Sequence, residues 1–315
     1  MLTVLRWLAL TLLAAGVLVA VAGYLDISRA YERLDGRARV IPSPQGAIAF
    51  TEGGSGPPVL VIHGSGGGFD QGELIARTVL GDGFHWITPS RFGYPGSTFH
   101  PGATFDDQAR AYRHLLDQLG IQKVAVVALS HGGPSALLFA ALFPERVSAL
   151  VLLSCGVASS SDPAQLQANQ SGDALTSIFR YDPLYWGVSK VFRKPLMKLM
   201  GASDAVIAGL TPEQLHLVDQ VIDFMNPVKP RSAGVAFDNQ AVMPNERIAA
   251  IRAPTLIFHA VDDSLQLYRN AMFAAQHIPA ARLVSFEKGG HLAMVVEQAA
   301  IRAQTQAFVR EHAGG

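Results

Sequence analysis

One stretch of the chain, residues 124–136, constrains the fold more than any other. It reads VAVVALSHGGPSA: an apolar run typical of a buried strand, then Ser130, then small residues that lead into a helix. A strand that turns this sharply into a helix leaves no room for side chains two residues before and after the serine. Ala128 and Gly132 meet that requirement. The stretch therefore predicts a strand, a tight turn that presents Ser130, and a helix.

A serine hydroxyl is a poor nucleophile unless a base lies beside it and a carboxylate orients that base. Both residue types follow downstream. Residues 253–259 predict a buried strand, and the loop after it carries Asp262 and Asp263. Residues 283–286 predict another strand, and His291 lies on the loop after that one. Because the carboxyl ends of parallel strands meet at one edge of a sheet, we expect the serine, the histidine and one carboxylate to lie together.

A glycine-rich run follows an upstream predicted strand. Residues 57–69 read PPVLVIHGSGGGF, and glycines there let backbone N–H groups approach a developing oxyanion without a Cβ in the way. We expect one oxyanion donor from the backbone of His131 and a second from the loop at Ser65 or Gly66. The run has neither the GxxxxGK[ST] pattern of a phosphate-binding loop nor the context of a dinucleotide fold.

Together these motifs resemble the α/β-hydrolase superfamily, which includes esterases, C–C hydrolases and haloperoxidase-like serine hydrolases. Residues 86–97 are similar to the strand-plus-loop segment that these enzymes carry before the serine turn. The resemblance implies a mostly parallel central sheet flanked by helices, with a helical cap inserted over the site. It also implies a catalytic triad of Ser130, Asp263 and His291. Asp263 is preferred to Asp262 because the family places this carboxylate three residues after a small residue, here Ala260.

The alternation of strands and helices stops between about residues 157 and 244. This segment predicts short helices broken by prolines, and its aromatic and methionine side chains favour a hydrophobic acyl or aromatic substrate. We expect the substrate pocket to include His63, Gly64, Tyr181 and Trp186. The predicted domains are a core in two parts and an inserted cap, preceded by a tether and a stalk: 1–25 tether, 26–37 stalk, 38–156 core, 157–244 cap and 245–315 core.

The N-terminal tether is an uncharged apolar run, residues 7–25, about long enough to cross a bilayer as a helix. Ala20-Val21-Ala22 has the form of a signal-peptidase site, so cleavage after Ala22 would release a secreted or periplasmic enzyme. We favour an uncleaved membrane anchor. Arg6 precedes the run and four arginines follow it within residues 29–39, so charge leaves the membrane face undecided.

Composition narrows the possible partners. The chain has 25 basic and 25 acidic residues and no basic run, so nothing indicates a nucleic-acid partner. Its one cysteine, Cys155, excludes an intramolecular disulfide and a cysteine-based metal cluster, and we expect a buried packing thiol. The implied mechanism requires no metal and no organic cofactor. Oligomeric state is left open.

The expected activity is hydrolysis of a hydrophobic ester through an acyl-enzyme. Two other reactions use the same triad: hydrolysis of a C–C bond in meta-cleavage-type dienoic acids, with Arg91 or Arg180 binding the substrate carboxylate, and perhydrolysis by a haloperoxidase-like enzyme. A protein that only binds a ligand in the pocket is the alternative outside enzymology. Dehalogenase and epoxide-hydrolase chemistry is disfavoured because the turn carries Ser130 rather than an aspartate.

Overall fold

The computed structural model describes residues 2–313, apart from the side chains of residues 171 and 175. Met1, where the predicted tether begins, and residues 314–315, where the predicted core ends, lie outside the described residues.

Strands of the described chain form one sheet in the order β1-β2-β4-β3-β5-β6-β7-β8. Strands β1 and β2 pair antiparallel, and β2 pairs antiparallel with β4, whereas all other neighbours are parallel. The expected mostly parallel sheet is confirmed. The strands are β1 (Arg39–Ile41), β2 (Ile48–Gly53), β3 (Pro58–Ile62), β4 (His85–Pro89), β5 (Val124–Leu129), β6 (Val147–Leu153), β7 (Thr255–Ala260) and β8 (Ala281–Phe286).

Helices cover both faces of the sheet, and successive residues of β3 show how. Leu60 and Ile62 pack into one apolar cluster and Val59 and Val61 into another, because side chains alternate across a strand. The first cluster includes residues of α3, α4 and α11, and the second includes residues of α2 and α13. These helices are α2 (Phe69–Val79), α3 (Phe105–Gln118), α4 (Gly133–Leu142), α11 (Arg269–His277) and α13 (Gln298–His312), with the short α12 (Ala293–Val296) before α13.

Between β6 and β7 the chain forms a layer of helices, in the region where the sequence predicts a cap. A third apolar cluster holds this layer together and joins it to the core: Tyr185, Val218 and Ile222 pack in the same cluster as Leu74 of α2 and Val295 of α12. The helices of the layer are α5 (Pro163–Ile178), α6 (Asp182–Val191), α7 (Arg193–Leu199), α8 (Asp204–Ala208), α9 (Pro212–Phe224) and α10 (Ser232–Gln240).

The N-terminal helix α1 (Leu2–Glu32) is long and apolar enough to cross a membrane, and most of its apolar length is exposed. The helix continues through the tether boundary that we predicted at residue 25. The segment expected as a stalk, 26–37, lies against the folded domain rather than standing free of it. Tyr31 donates to Asp182 Oδ2 at 2.8 Å, and Arg37 Nη2 donates to Glu73 Oε2 at 2.7 Å.

Candidate active site

Ser130 follows β5 in the strained backbone conformation that the sequence motif predicts. Its φ of 53° lies in the left-handed region, which a residue with a Cβ seldom adopts. A Cβ at Gly132 would lie 2.7 Å from the carbonyl oxygens of both Ile62 and His63. The glycine is therefore required by close packing against the end of β3, and the turn projects the serine hydroxyl from the carboxyl edge of the sheet.

The structure brings Ser130, His291 and Asp263 into one hydrogen-bonded chain. His291 Nε2 lies 2.9 Å from Ser130 Oγ, and His291 Nδ1 lies 2.9 Å from Asp263 Oδ2. The second carboxylate oxygen of Asp263 accepts the backbone N–H groups of Leu265 and Gln266, each at 2.9 Å. Because an ionised carboxylate can only accept hydrogen bonds, we assign the imidazole proton to Nδ1, which faces Asp263. The lone pair of Nε2 then faces the serine hydroxyl.

Asp262, the other carboxylate of the same loop, has a different contact. Its Oδ1 accepts the N–H of Gly290 at 2.7 Å, immediately before His291. Gly290 has a φ of 55°, and a Cβ there would overlap the carbonyl oxygen of Gly201. Asp262 thus holds the backbone of the histidine loop, while Asp263 holds the imidazole.

The environment of Asp263 keeps its carboxylate charged. Burial would raise the pKa of this carboxyl, but the attraction and hydrogen bond of His291 lower it below the ordinary value, with further contributions from His259 and the Gln266 N–H. Burial also lowers the pKa of the His259 imidazole, which is therefore neutral near pH 7. The site therefore contains a buried, charged carboxylate that faces His291 and can orient its imidazole.

The glycine-rich loop after β3 approaches Ser130 closely. A Cβ at Gly64 would lie 3.1 Å from Ser130 Cβ, so the loop packs against the serine through a residue with no side chain. The N–H of Gly66 donates to Tyr94 Oη at 3.3 Å. Because this contact engages the Gly66 N–H, Ser65 is the better candidate for the oxyanion donor of the loop. His131, which follows Ser130 directly, remains the candidate for the other donor.

A buried network supports this loop from behind. His63 Nδ1 lies 2.7 Å from the carbonyl oxygen of Gly64, and His63 Nε2 accepts the Arg91 N–H at 3.0 Å. Burial, with the nearby Arg91 charge, holds the pKa of His63 well below its ordinary value, so this ring is neutral. The Arg91 guanidinium pairs with Asp238 through Nη2 and Oδ2 at 2.7 Å. Both the His63 and the Arg91 side chains are fully buried behind the loop.

An apolar cavity of about 110 Å³ lies beside Ser130 and His291. Several helices of the inserted layer line it, together with the ends of the core strands. Gly64 lines it as expected, and so do Ser65, Gly66 and His131. Its apolar side chains are Leu129, Phe179, Met200, Val221, Met225, Val235, Leu265, Leu292, Met294 and Val295.

Three expected pocket residues do not line this cavity. His63 lies beneath the loop, and Tyr181 is 66% exposed. Trp186 packs its ring against Gly23 of α1 and donates Nε1–H to Asp26 at 3.1 Å. The apolar composition of residues 157–244 indicated which segment closes the site. It carried no signal for which side chains turn inward, because helix packing decides that.

Cys155 is buried beneath the serine turn. Its Sγ lies 3.3 Å from the carbonyl oxygen of Ala128, and burial raises the pKa of the thiol to about 12. The thiol is therefore protonated near neutral pH and packs against the turn, as the sequence predicts. Within residues 2–313, no group of three or more His, Cys, Asp or Glu side chains is arranged to hold a metal ion.

Comparison with known proteins matches this fold and these motifs to one family. The model of the alpha/beta hydrolase fold family matches residues 57–298. An uncharacterized hydrolase of Bacillus subtilis, YcgS, is 28% identical over 274 residues, which cover 84% of this chain and 95% of the relative. The 2-hydroxy-6-oxo-6-phenylhexa-2,4-dienoate hydrolase of Comamonas testosteroni is 26% identical over 254 residues, covering 78% of this chain and 85% of that enzyme.

Among solved structures, an alpha/beta hydrolase fold protein from Nakamurella multipartita superposes with a TM-score of 0.65 at 27% identity. The match covers 88% of this chain and all of the other, 100%. The family model spans well over half of the sequence, including the serine turn, the acid loop and the histidine loop. The chain therefore belongs to the alpha/beta hydrolase fold family.

Proposed function

We propose that the protein is a serine hydrolase that cleaves esters of a small apolar or aromatic acid through a covalent acyl-enzyme. The observation that carries the proposal is the chain of two 2.9 Å contacts joining Ser130, His291 and Asp263 at the wall of an apolar cavity. A hydroxyl beside a neutral imidazole that a carboxylate orients is the arrangement that activates a serine.

In the first half of the reaction, His291 Nε2 takes the proton of Ser130 as the serine oxygen attacks the ester carbonyl. The carbonyl oxygen becomes an oxyanion, which the N–H groups of His131 and Ser65 stabilise. Asp263 stabilises the imidazolium that forms. The C–O bond then breaks, and His291 returns the proton to the leaving alcohol, so the serine carries the acyl group.

In the second half, water enters where the alcohol has left. His291 takes a proton from this water as its oxygen attacks the acyl carbon, and the same backbone donors stabilise the second oxyanion. Collapse of this intermediate releases the carboxylic acid and returns the proton from His291 to Ser130. Charge and protons balance without any group beyond the triad, the backbone donors and water.

The size of the apolar cavity supports a short acyl group. Its volume of about 110 Å³ is close to that of an apolar cavity of roughly 150 Å³ that binds benzene. The space beside Ser130 therefore suits a short aliphatic acyl chain or a single aromatic ring. We expect kcat/KM to fall as the acyl chain grows beyond about this size.

C–C hydrolysis is the strongest alternative, since the Comamonas relative is named for such a reaction. A dienoic acid carries a carboxylate that needs a cationic partner. Arg91 is fully buried and paired with Asp238, and Arg180 is exposed and does not line the apolar cavity. The positions of both cations therefore favour the ester over the dienoic acid.

We further propose that α1 anchors the enzyme to a membrane. The helix is apolar over most of its length, and its large apolar side chains are exposed, for example Leu18 at 70%. Such a surface is stable in lipid but not in water. Cleavage after Ala22 would instead release the domain. The size of the mature protein, measured by mass spectrometry of the membrane fraction, distinguishes these outcomes.

The proposed reaction is tested with a panel of substrates and a covalent probe. Wild-type protein should hydrolyse short-chain aryl and alkyl esters, and a fluorophosphonate probe should label Ser130. Ser130→Ala should lose both labelling and hydrolysis. Ser135, inside α4, is the matched control: Ser135→Ala should still be labelled. Faster turnover of a dienoic acid than of any ester would favour C–C hydrolysis, faster peroxide-dependent turnover would favour perhydrolysis, and binding without turnover would leave a ligand-binding protein.

A further inference from the structure

A second cavity, about 320 Å³, adjoins the apolar cavity. We call it the polar chamber. The two cavities share His131, Gly172, Asn239 and Leu265 in their walls. Because His131 directly follows Ser130, the boundary between the cavities lies next to the serine turn. An ester whose acyl group occupies the apolar cavity can therefore extend its alcohol group into the polar chamber.

The walls of the polar chamber differ in chemistry from those of the apolar cavity. Hydroxyl, carboxamide and carboxylate side chains dominate the polar chamber. They include Ser159, Gln165, Asn169, Asp173, Asn239 and Gln266. Neutral hydroxyl and amide groups both donate and accept hydrogen bonds. They can therefore pair with the hydroxyl groups of an alcohol, which also donate and accept.

Gln266 places one of these amides at the boundary. Its Nε2 lies 3.4 Å from His131 Nδ1, and its backbone N–H is one of the two that donate to Asp263 Oδ1. Burial lowers the pKa of His131, so its ring is neutral and accepts or donates without charge. The loop that orients the triad acid therefore also presents a carboxamide where the two cavities meet, beside the residue that follows Ser130.

The charges of the polar chamber are acidic. Its described lining contains the carboxylates of Asp173 and Asp238 and no lysine or arginine. Asp238 is neutralised by Arg91, whereas Asp173 is exposed and accepts from Asn239 at 3.3 Å. Arg91 contacts this wall through Asp238, and Arg269 contacts it by donating to Ser160 and Gln165 while it pairs with Asp162 at 3.8 Å. A phosphate or carboxylate on the alcohol would therefore meet two lining carboxylates, and each of these arginines is already paired with an aspartate.

We propose that the polar chamber binds the leaving alcohol and that this alcohol is a neutral polyol of about the size of glycerol. This inference rests on the proposed ester hydrolysis and narrows its substrate class to polyol esters of small apolar acids. At about 320 Å³, the chamber is large enough to hold a three-carbon polyol.

The test compares three butyrate esters that share the acyl group: propyl butyrate, glyceryl monobutyrate and the butyrate ester of glycerol 3-phosphate. For wild-type protein, we expect kcat/KM for the glyceryl ester to exceed that for the propyl ester by about tenfold or more, since one satisfied hydrogen bond of about 1.4 kcal/mol corresponds to a factor of ten. Of the two esters with a polar alcohol, the phosphorylated one should be the poorer substrate.

Two variants, each with a matched control, test the chamber itself. Gln266→Leu should lower the ratio of glyceryl to propyl kcat/KM, whereas Gln118→Leu, exposed at the end of α3, should not. Asp173→Lys should raise the ratio of phosphorylated to glyceryl kcat/KM by placing a cation at the chamber wall. Glu311→Lys makes the same charge change on exposed α13 and should leave that ratio unaltered.

The outcomes separate this inference from the proposed function. If the propyl ester is hydrolysed as well as the glyceryl ester, or if Asp173→Lys and Gln266→Leu leave both ratios at wild-type values, the chamber does not bind the alcohol although the enzyme is an esterase. A wild-type preference for the phosphorylated ester would also overturn the inference. If no ester is hydrolysed and Ser130 is not labelled, the proposed function itself fails, and the chamber inference falls with it.

Discussion

Arg33 connects the end of the N-terminal helical segment to the interior of the folded domain. Its Nε donates to Asp70 Oδ2 at 3.3 Å, and its Nη2 donates to the carbonyl oxygens of Phe224 and Asn226, the former at 3.3 Å. The guanidinium also lies over the Phe224 ring, 4.5 Å from its centroid. One side chain thus ties the segment after the candidate membrane span to α2 and to the end of α9.

The partner of Arg33 leads on to the loop near the serine. Asp70 is fully buried and pairs with the equally buried Arg231, with Nη2 2.9 Å from Oδ2. Arg231 Nη1 in turn donates to the carbonyl oxygen of Gly67, in the glycine-rich loop that carries the candidate oxyanion donor. A change at Arg33 is therefore expected to affect both the stability of the domain and the order of this loop.

Arg33→Ala should lower the free energy of unfolding by about 2–3 kcal/mol. A hydrogen bond to a charged group contributes about 1.5–3 kcal/mol to stability. Because the Arg33 side chain is 21% exposed, solvent screens its contacts, and their combined contribution is smaller than their sum. Asp70 keeps Arg231, so no buried charge is left unpaired. For a domain of this size, the melting temperature should fall by roughly 3–5 °C, measured by calorimetry. The kcat for a short-chain ester should fall by less than about tenfold.

Arg29→Ala is the matched control, four residues earlier and within the last turns of α1. The Arg29 side chain is 73% exposed and its ion pair with Asp26 is 3.7 Å long, so this change should alter stability by no more than about 0.5 kcal/mol. If Arg33→Ala melts at the wild-type temperature, or if the two variants are destabilised equally, residues 26–37 do not contribute to the domain and the reasoning is wrong.

Three further changes test other parts of the structure. Asp263→Asn should lower kcat by several orders of magnitude, about 10⁴ in the serine-protease case, whereas Asp262→Asn should retain far more activity; the reverse order would exchange their assignments. Deletion of residues 1–25 should leave a soluble, cooperatively melting, active enzyme, and deletion of residues 1–37 should not, because the contacts of Tyr31, Arg33 and Arg37 with the domain are lost together. Burial raises the pKa of Asp70, but Arg231 and Arg33 lower it below its ordinary 3.8, so its stabilising contribution is present above that pH and lost as the pH falls through the folded pKa. Asp70→Asn should therefore destabilise strongly at pH 7 and less near pH 3, where the loss has begun; an equal effect at both would refute the ion pair.

The candidate site is predictable from the sequence where local backbone geometry dictates the residue type. A serine at a strand-to-helix turn needs small neighbours, so Ala128 and Gly132 locate the turn by themselves. Strands followed by loops with Asp262, Asp263 and His291 locate the candidate partners, because carboxyl ends of parallel strands share one edge, and only the family resemblance favours Asp263 over Asp262. The mostly parallel sheet follows from the same alternation of strands and helices.

Only the tertiary structure decides which side chains line the apolar cavity beside Ser130. From the sequence, Arg91 is a plausible cation for binding a substrate carboxylate. The structure shows instead that it pairs with Asp238, which lies far along the chain. Tyr181 and Trp186 belong to the same apolar segment as Phe179, yet of these three side chains only that of Phe179 lines the apolar cavity. Residues 26–37 look like a spacer because their partners, such as Asp182, lie 151 positions away from Tyr31. Sequence spacing sets backbone turns over a few residues, whereas side-chain direction and ion pairing depend on packing between distant segments, which no local pattern encodes.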